Sequence, residues 1–339
     1  MKRLLPLLLV FVMVFSLTAC KNDESDSPLY QVPDFTDPPK AIGSTVVTTL
    51  DEMIELANNV PTFSFAFSDE LDKCKQTFYT KEDKSDAEEM EESLSLLGGI
   101  KYHLQLMNVR ALAPFDASKF SLGDDNKMAY MTLENNSLAF NENVVTDIAF
   151  DLTDKSIVVR GMYVMSDEES NTDGTYYESI TLKFLGDNKY QTTLWYGEYV
   201  EKSSVNYSII ATEQFTFTWQ DDTVVEGDYS CTQQTAIAES AVNEGANGML
   251  YLEDQFSAEA ADTTASITMR NGKYIITRSM VLKATDKSMN VNDAKEIYRV
   301  TQELRAQDDG YLLTEIATGE TEDGGTDSTK QYVLFEPKT

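Results

Sequence analysis

Ser266-Ile267-Thr268-Met269-Arg270-Asn271-Gly272-Lys273-Tyr274-Ile275-Ile276-Thr277 is the stretch that decides the fold. Apolar and polar residues alternate up to Arg270. Asn271-Gly272 then supplies two positions that tolerate positive φ, and the strand-forming run from Tyr274 to Leu282 follows. Period-two alternation around an Asn-Gly pair is the strongest short-range signal for a β-hairpin. The same grammar extends outward on both sides. Strands are predicted over 128–133, 144–151, 156–165, 176–185, 189–200, 204–212, 214–219 and 223–231. They are separated by turn-forming runs such as Glu134-Asn135-Asn136, Asp173-Gly174 and Gly186-Asp187-Asn188. After the hairpin, 295–306 reads as a strand, the Asp308-Asp309-Gly310 turn leads into Tyr311 to Thr318, and Gln331 to Phe335 closes the series. The connections are too short for βαβ crossovers, so the sheet should be an antiparallel meander. The predicted class is α+β, mostly antiparallel β: two N-terminal helices followed by β-meanders with a half-barrel or sandwich-like shape.

The helices are expected near the start. Thr49 and Glu52 have capping-box spacing, Leu50, Met53, Ile54 and Ala57 share a face, and Pro61 ends the run, so a helix is predicted over 49–59. A second is predicted over 85–97, with Ser85 and Glu88 at its start and Gly98-Gly99 after it. Phe63, Phe65 and Phe67 alternate like a short strand between them. Ile100, Tyr102, Leu104 and Leu106 alternate with Lys101, His103 and Gln105, which reads as a half-buried strand with His103 on its solvent face. Residues 232–263 are rich in Ala, Glu, Ser and Asn and read as short helices at about 235–243 and 251–261.

At 42% hydrophobic and 10% aromatic, the chain can bury a core. Its formal charge is −30. A surface this negative repels phosphate backbones and anionic headgroups, which argues against nucleic-acid binding and against a basic membrane-lying face. It favours solubility and attraction of cations or basic partners.

The N-terminus is organised differently. Lys2-Arg3 precedes an apolar run from Leu4 to Leu17, too short to span a bilayer comfortably, and Leu17-Thr18-Ala19-Cys20 closes it. This resembles the lipobox of bacterial lipoproteins. The resemblance covers residues 1–20 and implies diacylglycerylation of Cys20 and removal of a signal peptide, residues 1–19. It also implies an extracytoplasmic protein held by acyl chains in the outer leaflet of the cytoplasmic membrane, or at the outer membrane or cell surface. Loss of Lys2 and Arg3 would leave 25 basic against 57 acidic side chains in the mature chain, or −32. Residues 20–43 read as an acidic, Pro-containing tether, with Lys21 to Glu24 similar either to a surface-export signal or to a plain solvated linker. Residues 44–235 are expected to hold the helices and the first meander. Residues 236–339 would form a second, smaller β-meander domain or a continuation of the same sheet.

The chemistry is sparse. One histidine, His103, excludes HExxH-type zinc motifs, and no nucleotide loop or nucleophile elbow is present. No catalytic residue, metal site or cofactor is expected. The acidic run Asp167, Glu168, Glu169 and Asp173 starts like a calcium loop, but its twelfth position is Ile180, so it reads as a hairpin tip. Cys74 and Cys231 have two fates outside the cytoplasm, a disulfide or two buried thiols. The most suggestive feature is aromatic. Phe215, Phe217 and Trp219 alternate with Thr216 and Thr218 and share one face, either as core or as the lining of a ligand pocket. Trp195 and Tyr196 are sequence neighbours in one strand and must point to opposite faces. The favoured function is a non-enzymatic binding or accessory module of the cell envelope, tethered to the membrane and facing an unknown protein or small-molecule ligand. Two alternatives stand beside it. One is a carrier of an apolar ligand in a curved-sheet cavity, a layout loosely similar to lipoprotein-sorting half-barrels. The other is an extracytoplasmic hydrolase working through two carboxylates.

Overall fold

The computed structural model describes residues 35, 37–65, 67, 70–71, 73–79, 95–133, 139–140, 143–167, 172–202, 205–244, 250–285, 291–308, 310–320 and 325–338. Cys20, most of the tether, the predicted 85–97 helix up to residue 94 and the tip of the acidic hairpin lie outside the described residues. Among those described, no helix is long and apolar enough to cross a membrane.

Among the described residues, fifteen strands form one open antiparallel sheet. They are β1 (Cys74–Tyr79), β2 (Phe120–Leu122), β3 (Met128–Met131), β4 (Ala139–Phe140), β5 (Asn143–Asp151), β6 (Ser156–Asp167), β7 (Thr172–Gly186) and β8 (Lys189–Lys202), then β9 (Val205–Gln220), β10 (Thr223–Glu244), β11 (Leu250–Arg270), β12 (Lys273–Thr285), β13 (Lys295–Gln307), β14 (Gly310–Glu320) and β15 (Thr326–Pro337). Fourteen stand in line in the order β1-β15-β14-β13-β12-β11-β10-β9-β8-β7-β6-β5-β3-β2, and β4 pairs beside β5. The meander is therefore almost unbroken in chain order. Three of its two-residue turns, Asp187-Asn188, Asp221-Asp222 and Asn271-Gly272, place both residues at positive φ. That geometry matches the right-handed twist of the flanking strands, and Asn, Asp and Gly are the residues that adopt it. Residue 236 lies within β10, which is paired with β9 on one side and β11 on the other.

Several expectations are corrected here. Residues 235–243 and 251–261 are not helices. They are the upper halves of β10 and β11, strands of 22 and 21 residues that run roughly 70 Å. The expected strand at 100–106 is a helix, α2 (Ser95–Leu106), and His103 lies on its buried side, not in solvent. Ile100, His103, Leu104 and Met107 are all fully buried at the i, i+3, i+4, i+7 spacing of one helical face. The Phe63–Phe67 run is no strand. Phe63 and Phe65 are buried in irregular backbone, and Phe67 is buried at a helical position. The first helix, α1 (Leu50–Asn58), keeps its capping box, with Thr49 Oγ1 accepting from the Glu52 amide and Glu52 accepting from the Thr49 amide.

Alternation divides the sheet into two faces, and the N-terminal segment uses both. Residues 35 and 37–48 run as a strap across the outer face. Phe35 sits against Tyr177 and Trp195, with ring centroids at 5.5 and 5.6 Å, and under the Arg160 guanidinium. Arg160 donates to the Asp37 carbonyl at 2.7 Å, and Tyr130 donates to the Pro39 carbonyl at 2.8 Å. The Ile42 amide then reaches the buried Asp151 carboxylate at the β5–β6 turn, at 2.7 Å. From there the chain enters α1 and packs on the inner face. Phe63 meets Tyr190, Phe217 and Trp219 edge-on, Phe67 meets Tyr274 and Tyr311, and Phe115 meets Phe150. These contacts, with α2, fill the lower half of the inner face.

Candidate functional site

The register allows the inner face to be read as rows across the strands. The lowest rows are apolar: Tyr190, Phe217, Gly227, Ile267, Ile276, Leu304, Leu313 and Val333 are successive partners from β8 to β15. Gly227 is required there, because a Cβ at this position would lie 2.6 Å from the Phe215 ring. One row up, polar groups enter: Thr192, Phe215, Tyr229, Ala265, Arg278, Gln302 and Glu315. His103 of α2 sits over this row, its Nε2 2.7 Å from Thr192 Oγ1 and its Nδ1 3.0 Å from Glu213 Oε2. The Tyr229 hydroxyl donates to the same Glu213 oxygen at 3.0 Å. Arg278 donates to Gln302 at 3.3 Å, and Gln302 donates to Glu315 at 2.5 Å. The buried row is thus polar and hydrogen-bonded, which is what keeps such groups affordable inside a protein.

Above it, the inner face becomes half-buried and rich in tyrosine and glutamate. Glu178, Tyr196, Ala211, Gln233, Ala261, Leu282 and Tyr298 form the next full row but one. Tyr163, Tyr176, Glu198, Ile209, Thr235, Glu259, Ala284 and Lys295 form the row beyond, and Val200, Tyr207 and Ile237 belong to the one after it. Tyr176 and Tyr196 stack, with centroids 5.9 Å apart. Tyr207 donates to Glu198 at 2.9 Å and Tyr196 to Gln233 at 3.3 Å. Burial holds these phenols protonated: Tyr207 is pushed up to about 12, helped by its bond to Glu198, and Tyr176 and Tyr196 go higher. Burial, with Glu213 adding to it, pushes the Cys231 thiol to about 11, so it offers no thiolate nucleophile at neutral pH. Desolvation also raises the Glu259 carboxyl.

The residues singled out in the sequence fall in different places. Phe215, Phe217 and Trp219 share the inner face but are buried, at 0%, 1% and 8% exposure, in contact with the Phe63 and His103 side chains. Trp195 is on the outer face under Phe35, and Tyr196 is on the inner face in the tyrosine–glutamate band. Cys74 and Cys231 are free thiols, on β1 and β10 with five strands between them. Cys74 instead lines an open groove of about 330 Å³ at the β1–β15 corner, with Glu70, Lys73, Pro337 and Lys338. Tyr163, Tyr176, Glu178, Glu198, Glu259 and Tyr298 were missed. They are spread over 136 positions of sequence, and only strand register brings them together. No family model matches the chain, and neither a curated protein nor a solved structure matches it.

Proposed function

We propose that this chain is a non-enzymatic binding module of the cell envelope, anchored through acyl chains on Cys20, and that its ligand lies on the upper inner face of the sheet. One observation supports the reading above the others: the inner face changes character along the strands. Its lower half is filled by α1, α2 and the Phe63–Phe67 run, whereas its upper half presents half-buried tyrosines beside glutamates. Protonated phenols held by carboxylates form a binding surface with defined rings and acceptors, without the activated nucleophile that covalent chemistry needs. The apolar-carrier alternative places its ligand against Phe217 and Trp219, where Phe63 already sits.

A thermal-shift screen tests the reading. Candidate envelope ligands (glycans, lipids, peptides) are added to the chain and to a Tyr176→Ala/Glu198→Ala variant. A ligand that binds the native state raises the unfolding temperature in proportion to log concentration. The expected result is a class that shifts the wild type and not the variant. If every class shifts both proteins equally, or none shifts either, the upper inner face is not the binding surface.

A further inference from the structure

Among the described residues, the inward positions of the two rows that begin at Glu178 and Tyr163 contain three glutamates, the buried Glu178 and the half-buried Glu198 and Glu259, against one lysine, the exposed Lys295 at the β13 end, two strands beyond Glu259. Arg278, and His103 of α2 above it, belong to the rows beneath and meet Gln302 and Glu213 there. The tyrosines next to the glutamates donate their hydroxyls inward to them, so the surface presents ring faces and carboxylate oxygens. Glu198 accepts one phenol and has about four lone-pair sites, so it retains capacity for donors from outside. Ring faces beside anionic acceptors suit a ligand that is cationic and donates hydrogen bonds. They do not suit a phosphate or a carboxylate.

Extent separates a small cation from a larger one. From Tyr163 on β6 to Tyr298 on β13 the face crosses eight strands, about 34 Å measured along the sheet at ~4.8 Å per strand. Glu178 and Glu198 are adjacent partners-but-one on β7 and β8, and Glu259 lies three strands beyond Glu198, about 14 Å away on the same spacing. An extended polypeptide of ~10 residues covers the whole width, with basic side chains about four residues apart meeting the two acidic positions. We propose, resting on the binding-face reading above, that the occupant is an extended polypeptide segment bearing lysine or arginine. The net charge of −30 adds long-range attraction for such a partner.

The test uses the full chain in detergent and a fluorescein-labelled peptide of ~10 residues in which lysine alternates with threonine, read by anisotropy at about 0.15 M salt. Glutamate–threonine peptide, spermine and a neutral oligosaccharide are the comparison probes. The lysine peptide should bind, and Glu198→Gln/Glu259→Gln should weaken it at least about ten-fold. Glu226→Gln/Asp228→Asn removes the same charge from exposed outer-face positions of β10 and should change affinity less than about two-fold. Equal loss in both variants, or absence of peptide binding, overturns the proposal, as does spermine competing at equal molar concentration. Carbodiimide labelling of Glu198 and Glu259 in the wild type, with and without peptide, reads the same site without a variant. Unchanged labelling counts against it. Oligosaccharide binding that depends on Glu198 and Glu259, without peptide binding, overturns this inference and leaves the binding face standing. A flat response from every probe in both proteins removes both.

Discussion

His103 Nδ1 lies 3.0 Å from Glu213 Oε2, although 110 residues separate the two in the chain. The contact ties α2 to β9, and the Thr192 bond ties the other ring nitrogen to β8. His103→Leu leaves Glu213 and Thr192 without this partner beneath the helix. Glu213 keeps 18% side-chain exposure and the Tyr229 hydroxyl, so the expected loss is that of buried polar groups deprived of one partner, about 1–3 kcal/mol. Urea unfolding measures it, and a loss under about 1 kcal/mol would mean that α2 is held by its apolar face alone.

Phe63 is the residue that plugs the aromatic inner face. It is 3% exposed and touches Tyr190, Phe217 and Trp219. Phe63→Ala should cost about 3–4 kcal/mol through lost contact and the cavity left behind. The same variant should change Trp219 emission, which separates a local cavity from general loosening.

The strap depends on Phe35. Phe35→Ala removes two ring contacts and one cation–π contact, worth together about 1–2 kcal/mol. Trypsin should then cut after Lys40 faster than in the wild type, and Trp195 emission should shift to the red. An unchanged cleavage rate would show that the Ile42–Asp151 and Tyr130–Pro39 bonds hold the strap without Phe35.

Glu259 makes a pH prediction. Desolvation raises its folded carboxyl above the unfolded value. A raised pKa means that the folded state binds the proton more tightly, so this group's contribution is complete below the unfolded pKa. It is lost as pH rises through the folded one. Wild-type stability should therefore fall relative to Glu259→Gln across that window, and the variant should be the more stable protein at neutral pH. Parallel stability profiles for the two proteins would refute the assignment.

Cys20→Ser tests the anchor. Wild type expressed in a bacterial host should enter the detergent phase of a phase-separating surfactant. The variant should lose acylation and remain uncleaved or mislocalised. A variant that still fractionates as a processed lipoprotein would remove the anchor from the proposal.

Much of the sheet could be read from local pattern. The Asn271-Gly272 hairpin and most strands between 144 and 231 announce themselves because turn chemistry and alternation agree, although the two expected at 204–212 and 214–219 are one strand, β9. The segment 100–106 misled because His103 counted as polar. With His103 treated as buried, Ile100, His103, Leu104 and Met107 give a helical face, and the even-numbered apolar series loses its force. Residues 235–243 and 251–261 misled for another reason. Their Ala and Glu favour helix locally, but pairing along β10 and β11 overrides propensity. The band of Tyr176, Glu198 and Glu259 was invisible because no spacing in the chain encodes which strand lies beside which.

One pairing breaks the chain order of the sheet. Every other ladder joins strands that follow closely in sequence, but β1 joins β15, setting Cys74 against Pro337 and Tyr79 against Tyr332. Local hairpins close early because little loop entropy opposes them, whereas this ladder must enclose some 250 residues before it forms. The sheet can therefore zip outward from its hairpins in any order, yet β1 stays without its partner until the C-terminal strand arrives. That makes β15 the piece that completes the assembly: a chain stopped before residue 326 would leave β14 as the bare edge of the sheet and β1 without its sheet partner, both open to pairing with a neighbour's strand.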